Sequence, residues 1–464
     1  MLTRIEIDGF KTFENLAIDL APFVVILGSN AAGKSNLFDA IQLLSNLATQ
    51  DVSEAIKDMR GEPMELFRRT PKGQSTRMSF AVEVLVDPSV RDPWGSEVNL
   101  GHTRMRYEVV LELREVRPGI PRVLVASESA RPILRMEDSW AKELRPTRAF
   151  RSKHLKYSRK KPLLTTERTS AGSAIFNVHQ DGKAGRTRPA SAAEATVLYS
   201  ITNAEFPHLF ALREEMRNWR LLQLDPALLR RPAPATAPDL LTPDGSNLAA
   251  VLARIKLETA SETRPTGALA DITAELNALI PGVNGLDASL DQTRGEYRAE
   301  LTMRDGLPFS SRVVSDGTLR VLALLTLLHD PRHRGLVCFE EPENGVHPAR
   351  LKQLVHGLRD MVTRPERFEE ADVAPLNQLL LNSHSPVVLS ALVGPTLQSR
   401  GDPVLFADTS SVVDPERGEV RRHTRLRPVM RESQGRLAEG EDDAPMPVSH
   451  FEVEKLLQTT LAEG

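Results

Sequence analysis

One cysteine, Cys338, stands in 464 residues. That excludes a disulfide scaffold and any cysteine-based zinc site, and it fits a reducing compartment. Aromatic residues are scarce at 5%, so a surface built to stack single-stranded bases is not expected. No apolar run approaches the ~20 residues that a membrane-spanning helix needs; stretches such as Val321–Leu325 are far shorter. The opening MLTRIEIDGF alternates charged and apolar residues and holds no apolar signal core. Neither sign of charge dominates, since 59 Lys and Arg face 62 Asp and Glu for a formal net charge of −3. A globally basic nucleic-acid coat is excluded, while a local basic patch is not. There is no internal repeat and no sustained heptad, so long coiled-coil arms are not expected. These absences predict a soluble, cytoplasmic chain with no membrane partner.

The residues that are present suit large cores. The chain is 41% hydrophobic and 51.4 kDa, enough for two or three domains at ~150 residues each. Leu2, Ile5 and Ile7, then Leu16, Ile18 and Leu20, recur with a period near two, the pattern of half-buried strands. Phe23–Leu27 is continuously apolar, as a strand buried on both faces would be. A glycine-rich turn follows, then a helical stripe through Leu37, Ala40, Ile41 and Leu44. Met78 to Val86 and Met105 to Leu113 alternate as antiparallel strands, and Val123–Val125 reads as a third. Helical stripes run through Leu248, Val251, Leu252 and Ile255, with Ser246 a candidate cap, and through Leu269, Ile272, Leu276 and Leu279. The last third alternates helix and buried strand, with Leu336–Phe339 and Gln378–Asn382 as the strands. The tail reads as a hairpin around Asp414–Gly418, followed by a polar stretch at 431–447.

Four motifs carry chemistry. Gly28, Ser29, Asn30, Ala31, Ala32, Gly33, Lys34 and Ser35 fit G-x-x-x-x-G-K-[ST], set between a buried strand and a helix. Such a loop turns backbone N–H groups toward phosphates, and the helix N-terminus adds positive potential. Its lysine faces the transferable phosphate and its serine offers a hydroxyl to Mg²⁺. Second, Leu336–Phe339 ends in Glu340 and Glu341, delivering two carboxylates to a strand's C-terminal end. Third, Ser315, Asp316 and Gly317 open an apolar helix, which is either an anion site or an ordinary cap. Fourth, His384 follows a buried strand, where a histidine is catalytic or merely structural.

In this order, with these flanks, the four resemble ABC-type ATPase heads. SDGTLR, FEEPENGVHP and NSHSP, with the opening IEIDGFKTFENL and GKSN, are similar to the branch containing RecF, SMC heads and OLD-type ATPases. The likeness covers roughly residues 1–130 and 300–400. It implies an α/β head, a mixed sheet with a phosphate-loop core plus an antiparallel β subdomain, interrupted by a helical insert. It implies ATP on Gly28–Ser35 and Asn36, Mg²⁺ on Ser35 and Glu340, and Glu341 as general base, with Lys34 stabilising charge. Ser315 and Gly317 would contact the γ-phosphate of ATP held by the other subunit of a homodimer, and His384 that of its own. Glu343 to His347 would form the loop crossing that interface. The family's magnesium-side Asp is here Glu340, its second signature glycine is Asp316, and only Gln42 and Gln74 stand as candidates for its phosphate-sensing glutamine. The ~80 residues after His384 are too few for a Toprim nuclease domain; Asp408 stands alone, and Glu441, Asp442 and Asp443 lie in the polar tail.

The expected divisions are residues 1–130 for the first half of the head, 131–300 for a mainly helical insert, 301–400 for the second half, and 401–464 for the hairpin and tail. Within the insert, residues 145–161 carry eight basic side chains and no acid. They are a contact for DNA or RNA phosphates, or else a solvated loop or a run that pairs with acids of a partner. The functional expectation is an Mg-dependent ATPase that couples dimerisation to nucleic acid or to a separate effector protein such as a nuclease. The alternative is an ATP-gated sensor with little turnover.

Overall fold

The computed structural model describes residues 1–463 except 71–72, 169–173, 181–182, 191, 373–374, 394–402, 414–419 and 431–445. The chain forms two compact units. The first comprises the described residues of Met1–Trp219, Val362–Leu380 and Gln398–Gly464; the second comprises Arg220–Met361 and the described part of Leu381–Leu397.

In the first unit, eight antiparallel strands form one sheet. At its middle, Leu2–Asp8 pairs with Arg77–Leu85, which pairs with Arg104–Arg117, which pairs with Ile120–Pro132. Alternation sets the register: Phe80 faces Val109, Val82 faces Tyr107 and Val84 faces Met105, all buried. Such cross-strand apolar pairs are the unit of sheet stabilisation. Beyond Ile120–Pro132 the sheet continues through Leu164–Arg168, Ala174–Gln180 and Lys183–Pro189. These three strands lie in the segment expected to be mainly helical, which also holds helices Ser139–Leu144, Arg148–His154 and Pro207–Arg217. The outermost strand, KAGRTRP, has no apolar alternation to announce it.

The same unit carries the phosphate-loop strand, Phe23–Gly28, buried at every residue. Val404–Val413 runs parallel to it, with Leu405 opposite Ile26 and Ala407 opposite Gly28. On its other side lies the first half of Asn377–Ser383, where the Leu379 N–H donates to the Pro22 carbonyl at 2.9 Å. With neighbours on both edges and no polar residue, this strand has the composition that double-sided burial demands. Val404–Val413 also pairs antiparallel with Val420–Met430. The turn expected at Asp414–Gly418 and most of the polar stretch 431–447 lie outside the described residues.

In the second unit, Arg220–Leu222 runs parallel to Gly335–Glu340, with Leu221 opposite Cys338. The hairpin Val283–Asp291 with Glu296–Met303 is packed by helices Leu248–Thr259 and Leu269–Leu279. Both predicted stripes on those helices are buried. The cap is not Ser246. Asn247 holds the N-cap position, and its side-chain amide donates to the carbonyls of Pro238 and Leu240 at 2.8 Å each. An amide that can reach two loop carbonyls fixes the preceding proline-rich segment instead of the helix end.

Candidate functional site

The phosphate loop leaves its strand at Gly28, where a side chain would meet the Ala407 carbonyl of the neighbouring strand. Ala31 (φ 62°) and Gly33 (φ 91°) take left-handed backbone. Alanine rarely adopts that region, and such residues occur where the fold over-determines them. Successive left- and right-handed residues form the concave N–H nest that holds anions. Lys34 is buried, and its ammonium donates to the Gly28 and Ser29 carbonyls at 2.6 and 2.8 Å. Asn30 and Ala31 are exposed, Ala32 is buried, and Ser29 and Ser35 are half-buried. The Asn36 amide donates to the Thr12 hydroxyl at 2.9 Å, which meets the Thr424 hydroxyl at 2.7 Å. A residue assigned to nucleotide by resemblance thus has a protein partner. Further along helix Lys34–Leu47, buried Asp39 accepts from Lys11 at 2.6 Å and Arg60 at 3.0 Å. Gln42 donates to Asn46, and Gln74 to the Met64 carbonyl.

The second unit brings together the acid pair, the strand-end histidine and the loop between them. Strand Gly335–Glu340 is buried up to Phe339 and presents Glu340 half-buried at its end. Asn382 donates to the Glu340 carboxylate at 3.3 Å, and Arg320 to its backbone carbonyl at 3.1 Å. Glu341 follows with φ 52°, left-handed for a side chain that has no preference for it. Its N–H donates to the backbone and side-chain oxygens of Asn382 at 3.0 and 3.1 Å. Its carboxylate accepts from Asn344 at 2.6 Å and lies 3.6 Å from His384 Nδ1. The same nitrogen is 3.3 Å from Glu343. Cys338, buried on this strand, has its thiol pushed far above the ordinary value by burial and then by Glu340, so it stays protonated and inert.

Ser315 is the N-cap of helix Asp316–Leu328. Its hydroxyl accepts from the Thr318 N–H at 3.3 Å and meets the Thr318 hydroxyl at 2.7 Å. The cap reading is therefore realised, while the exposed Ser315 still borders a cavity of about 460 Å³ lined also by His347 and Arg350. Asp316 pairs with Arg230, which also donates to the Val314 carbonyl at 3.0 Å. Gly317 is buried face to face with Gly345 (φ 79°). A Cβ on Gly345 would stand 2.6 Å from the Gly317 Cα. Both glycines are needed for this approach within one chain.

Sequence reasoning gives Glu343 and Asn344 only a place in an interface loop, and gives Asn382, Arg320 and Arg230 no role. The first three sit inside FEEPENGVHP and NSHSP, so the motifs contain them. Their partners become visible only once the two segments fold together. Asp408 accepts from Arg425 at 3.1 Å and Arg427 at 2.8 Å. Glu441, Asp442 and Asp443 lie outside the described residues. Among the described residues, no three His, Cys, Asp or Glu side chains group to hold a metal. That donor set is compatible with Mg²⁺ of the phosphate-loop kind, which takes one or two protein oxygens with water and phosphate completing its shell.

A buried strand that ends in a G-x-x-x-x-G-K-S loop, and a second buried strand that ends in an acid pair beside a histidine, mark an ABC-type P-loop ATPase head. The chain belongs to the family described as "AAA domain, putative AbiEii toxin, Type IV TA system", whose model matches residues 23–390. No curated protein matches. Among solved structures it is similar to an Smc head bound to the C-winged helix domain of ScpA, with 13% identity over 92% of this chain and 97% of that one and a TM-score of 0.48. It is similar to the SMC head domain from Thermotoga maritima, with 10% identity over 92% and 99% and a TM-score of 0.39. The Smc head with a coiled coil and joint from Pyrococcus yayanosii gives 10% identity over 100% and 99%, with a TM-score of 0.47. No helix among the described residues is long and apolar enough to cross a membrane.

Proposed function

We propose that the chain binds Mg·ATP, dimerises around two nucleotides, and hydrolyses ATP by attack of water on the γ-phosphate. The observation that carries this reading is the Glu341 carboxylate, fixed by Asn344 and by an unusual backbone beside His384. A general base must be aimed as well as basic. In this reading Glu341 orients the water and takes its proton, His384 contacts the γ-phosphate, and Lys34 with the loop amides of residues 28–36 stabilises charge. Ser35 and Glu340 offer the oxygens for Mg²⁺, which neutralises charge on the phosphates when bound. Ser315 and Gly317 serve the nucleotide of the second subunit. The ATP-driven closing acts on nucleic acid or on a separate effector protein, in DNA maintenance or anti-phage defence. A second reading is a sensor with little turnover that controls a separate toxin or nuclease. The family's description, which names a toxin–antitoxin system, favours it.

The deciding experiment compares Glu341→Gln with the wild type in ATPase rate and in molecular mass with ATP and Mg²⁺. The amide retains the shape and can still hydrogen-bond, but it is a far weaker proton acceptor. Hydrolysis should fall by about 10²–10⁴-fold, and the dimer should accumulate. Hydrolysis at the wild-type rate overturns the assignment of Glu341. A wild-type enzyme that binds ATP and dimerises with negligible turnover, whatever nucleic acid is added, selects the sensor.

A further inference from the structure

The basic run at 145–161 does not form one surface. Lys153 donates to the Asp372 carbonyl and stands over the Phe368 ring at 5.2 Å. Lys156 donates to the Ser152 carbonyl, and Arg159 to the Lys161 carbonyl at 3.1 Å. Arg145, Arg148 and Arg151 instead line a cavity of about 480 Å³, and Arg135 and Lys142, from outside the run, line it with them. Lys142 and Arg151 each donate to a backbone carbonyl, those of Met136 and Pro146. Among the described residues, none of these five cations is ion-paired.

The one carboxylate in the lining, Asp138, is already committed. It accepts from Arg104 at 2.7 and 3.0 Å and from the Tyr157 hydroxyl at 2.7 Å. It neutralises a fully buried guanidinium and not the cavity. The wall is fixed. Trp140 and Phe150, one on each of the two short helices here, are buried in a cluster with Met1, Leu85, Phe368 and Leu376. The Trp140 indole donates to the Leu20 carbonyl at 3.0 Å. Arg145, between the helices, is left-handed at φ 51°, a conformation that a non-glycine residue keeps only where its surroundings impose it.

Five unpaired like charges on one concave wall repel each other, whereas a merely solvated face would spread them. A cleft of one sign with low-dielectric walls concentrates potential on an incoming anion. Guanidinium forks match phosphate oxygens two at a time. The volume falls in the range of small-ligand pockets, about 300–1,000 Å³, and suits a compact group better than the side of a duplex. We propose that this cavity binds a compact, multiply charged phosphate group, carried by a free nucleotide or by the phosphorylated end of a nucleic-acid strand. It is independent of the ATP reading, because every residue it uses lies between Arg135 and Tyr157.

The test uses the full chain bearing Lys34→Ala, so that the phosphate loop does not compete, with inorganic tripolyphosphate as the calorimetric probe. One saturable, salt-sensitive site is expected. Adding Arg135→Ala and Arg148→Ala should weaken it at least about tenfold, the loss of two charge-assisted contacts. Lys160→Ala with Lys161→Ala, outside the cavity, should leave it unchanged. Thermal melts check that each variant folds. Displacement by a 5′-phosphorylated oligonucleotide but not by its 5′-hydroxyl twin identifies a strand end as the source. Displacement by nucleoside triphosphate and by neither oligonucleotide identifies a nucleotide. Absence of binding, equal weakening by the Lys160 and Lys161 control, or equal displacement by both oligonucleotides overturns the proposal.

Discussion

The Glu343 carboxylate accepts from the backbone N–H of His384 at 3.0 Å, and the same oxygen accepts from the Ser383 hydroxyl at 2.7 Å. Ser383 is fully buried. One carboxylate therefore holds the end of the strand that presents the histidine.

In the proposed reading Glu343 is a positioning residue, and its two replacements should differ. Glu343→Ala leaves a buried hydroxyl and an amide without their acceptor, at a cost of about 1–3 kcal/mol. His384 then loses its anchor, and kcat should fall by about 10–100-fold, the scale of a small misplacement near the reacting atoms. Glu343→Gln keeps an acceptor oxygen and should restore most of that loss. Steady-state ATPase assays with both variants, alongside ATP affinity, check this. Equal damage from both substitutions would assign Glu343 a role through its charge.

Gly345→Ala should destabilise the turn where Gly345 meets Gly317. Left-handed backbone at φ 79° disfavours alanine by about 1–2 kcal/mol, and the added Cβ would press on the Gly317 backbone. A total of about 2 kcal/mol or more is expected, in line with substitutions that combine strain and overpacking. The urea midpoint of the variant reads it directly. Because Gly317 faces Gly345, Gly317→Ala should give a comparable loss, and the double variant should be non-additive.

Stability should fall as pH rises from about 4.5 toward 7, and Glu128 is the reason. Burial pushes its carboxyl up to about 7, against hydrogen bonds from the Leu198 and Val197 amides and the Tyr107 hydroxyl. The folded chain then binds a proton that the unfolded chain releases near 4.5, the ordinary value of a glutamate. Linkage makes the contribution complete below about 4.5 and lost by about 7, on the order of 3 kcal/mol. Glu128→Gln removes this titration. Melting temperatures between pH 5 and 8 should decline less in the variant than in the wild type; identical profiles would mean that Glu128 is ionised throughout.

The phosphate loop, the acid strand and the antiparallel strands were legible because each is local, a motif in a fixed context or a period along a few residues. The alternation through Met78–Val86 predicted a strand, and the register places those side chains against Met105, Tyr107 and Val109. Lys183–Pro189 was not legible, because an outer strand rich in lysine and arginine needs no apolar face. Residue type alone points to Ser246 as the cap, whereas Asn247 next to it holds the N-cap position. The pairing of Gly317 with Gly345, the grip of Glu343 on His384, and the convergence of Arg135 with Arg148 depend on contacts distant in sequence, which periodicity does not report.

At Glu341 the backbone and the chemistry favour different residues. A φ of 52° is a place where glycine or asparagine would sit without cost. In the proposed reading the carboxylate, and not the backbone, is what keeps a glutamate there. A descendant lineage that no longer needs turnover is expected to drift at this position first, toward glycine or asparagine, while Gly345 and Gly317, held by packing, stay put. The identity of one side chain at 341 would thus separate hydrolysing descendants from those that have kept the head only as a nucleotide-dependent scaffold.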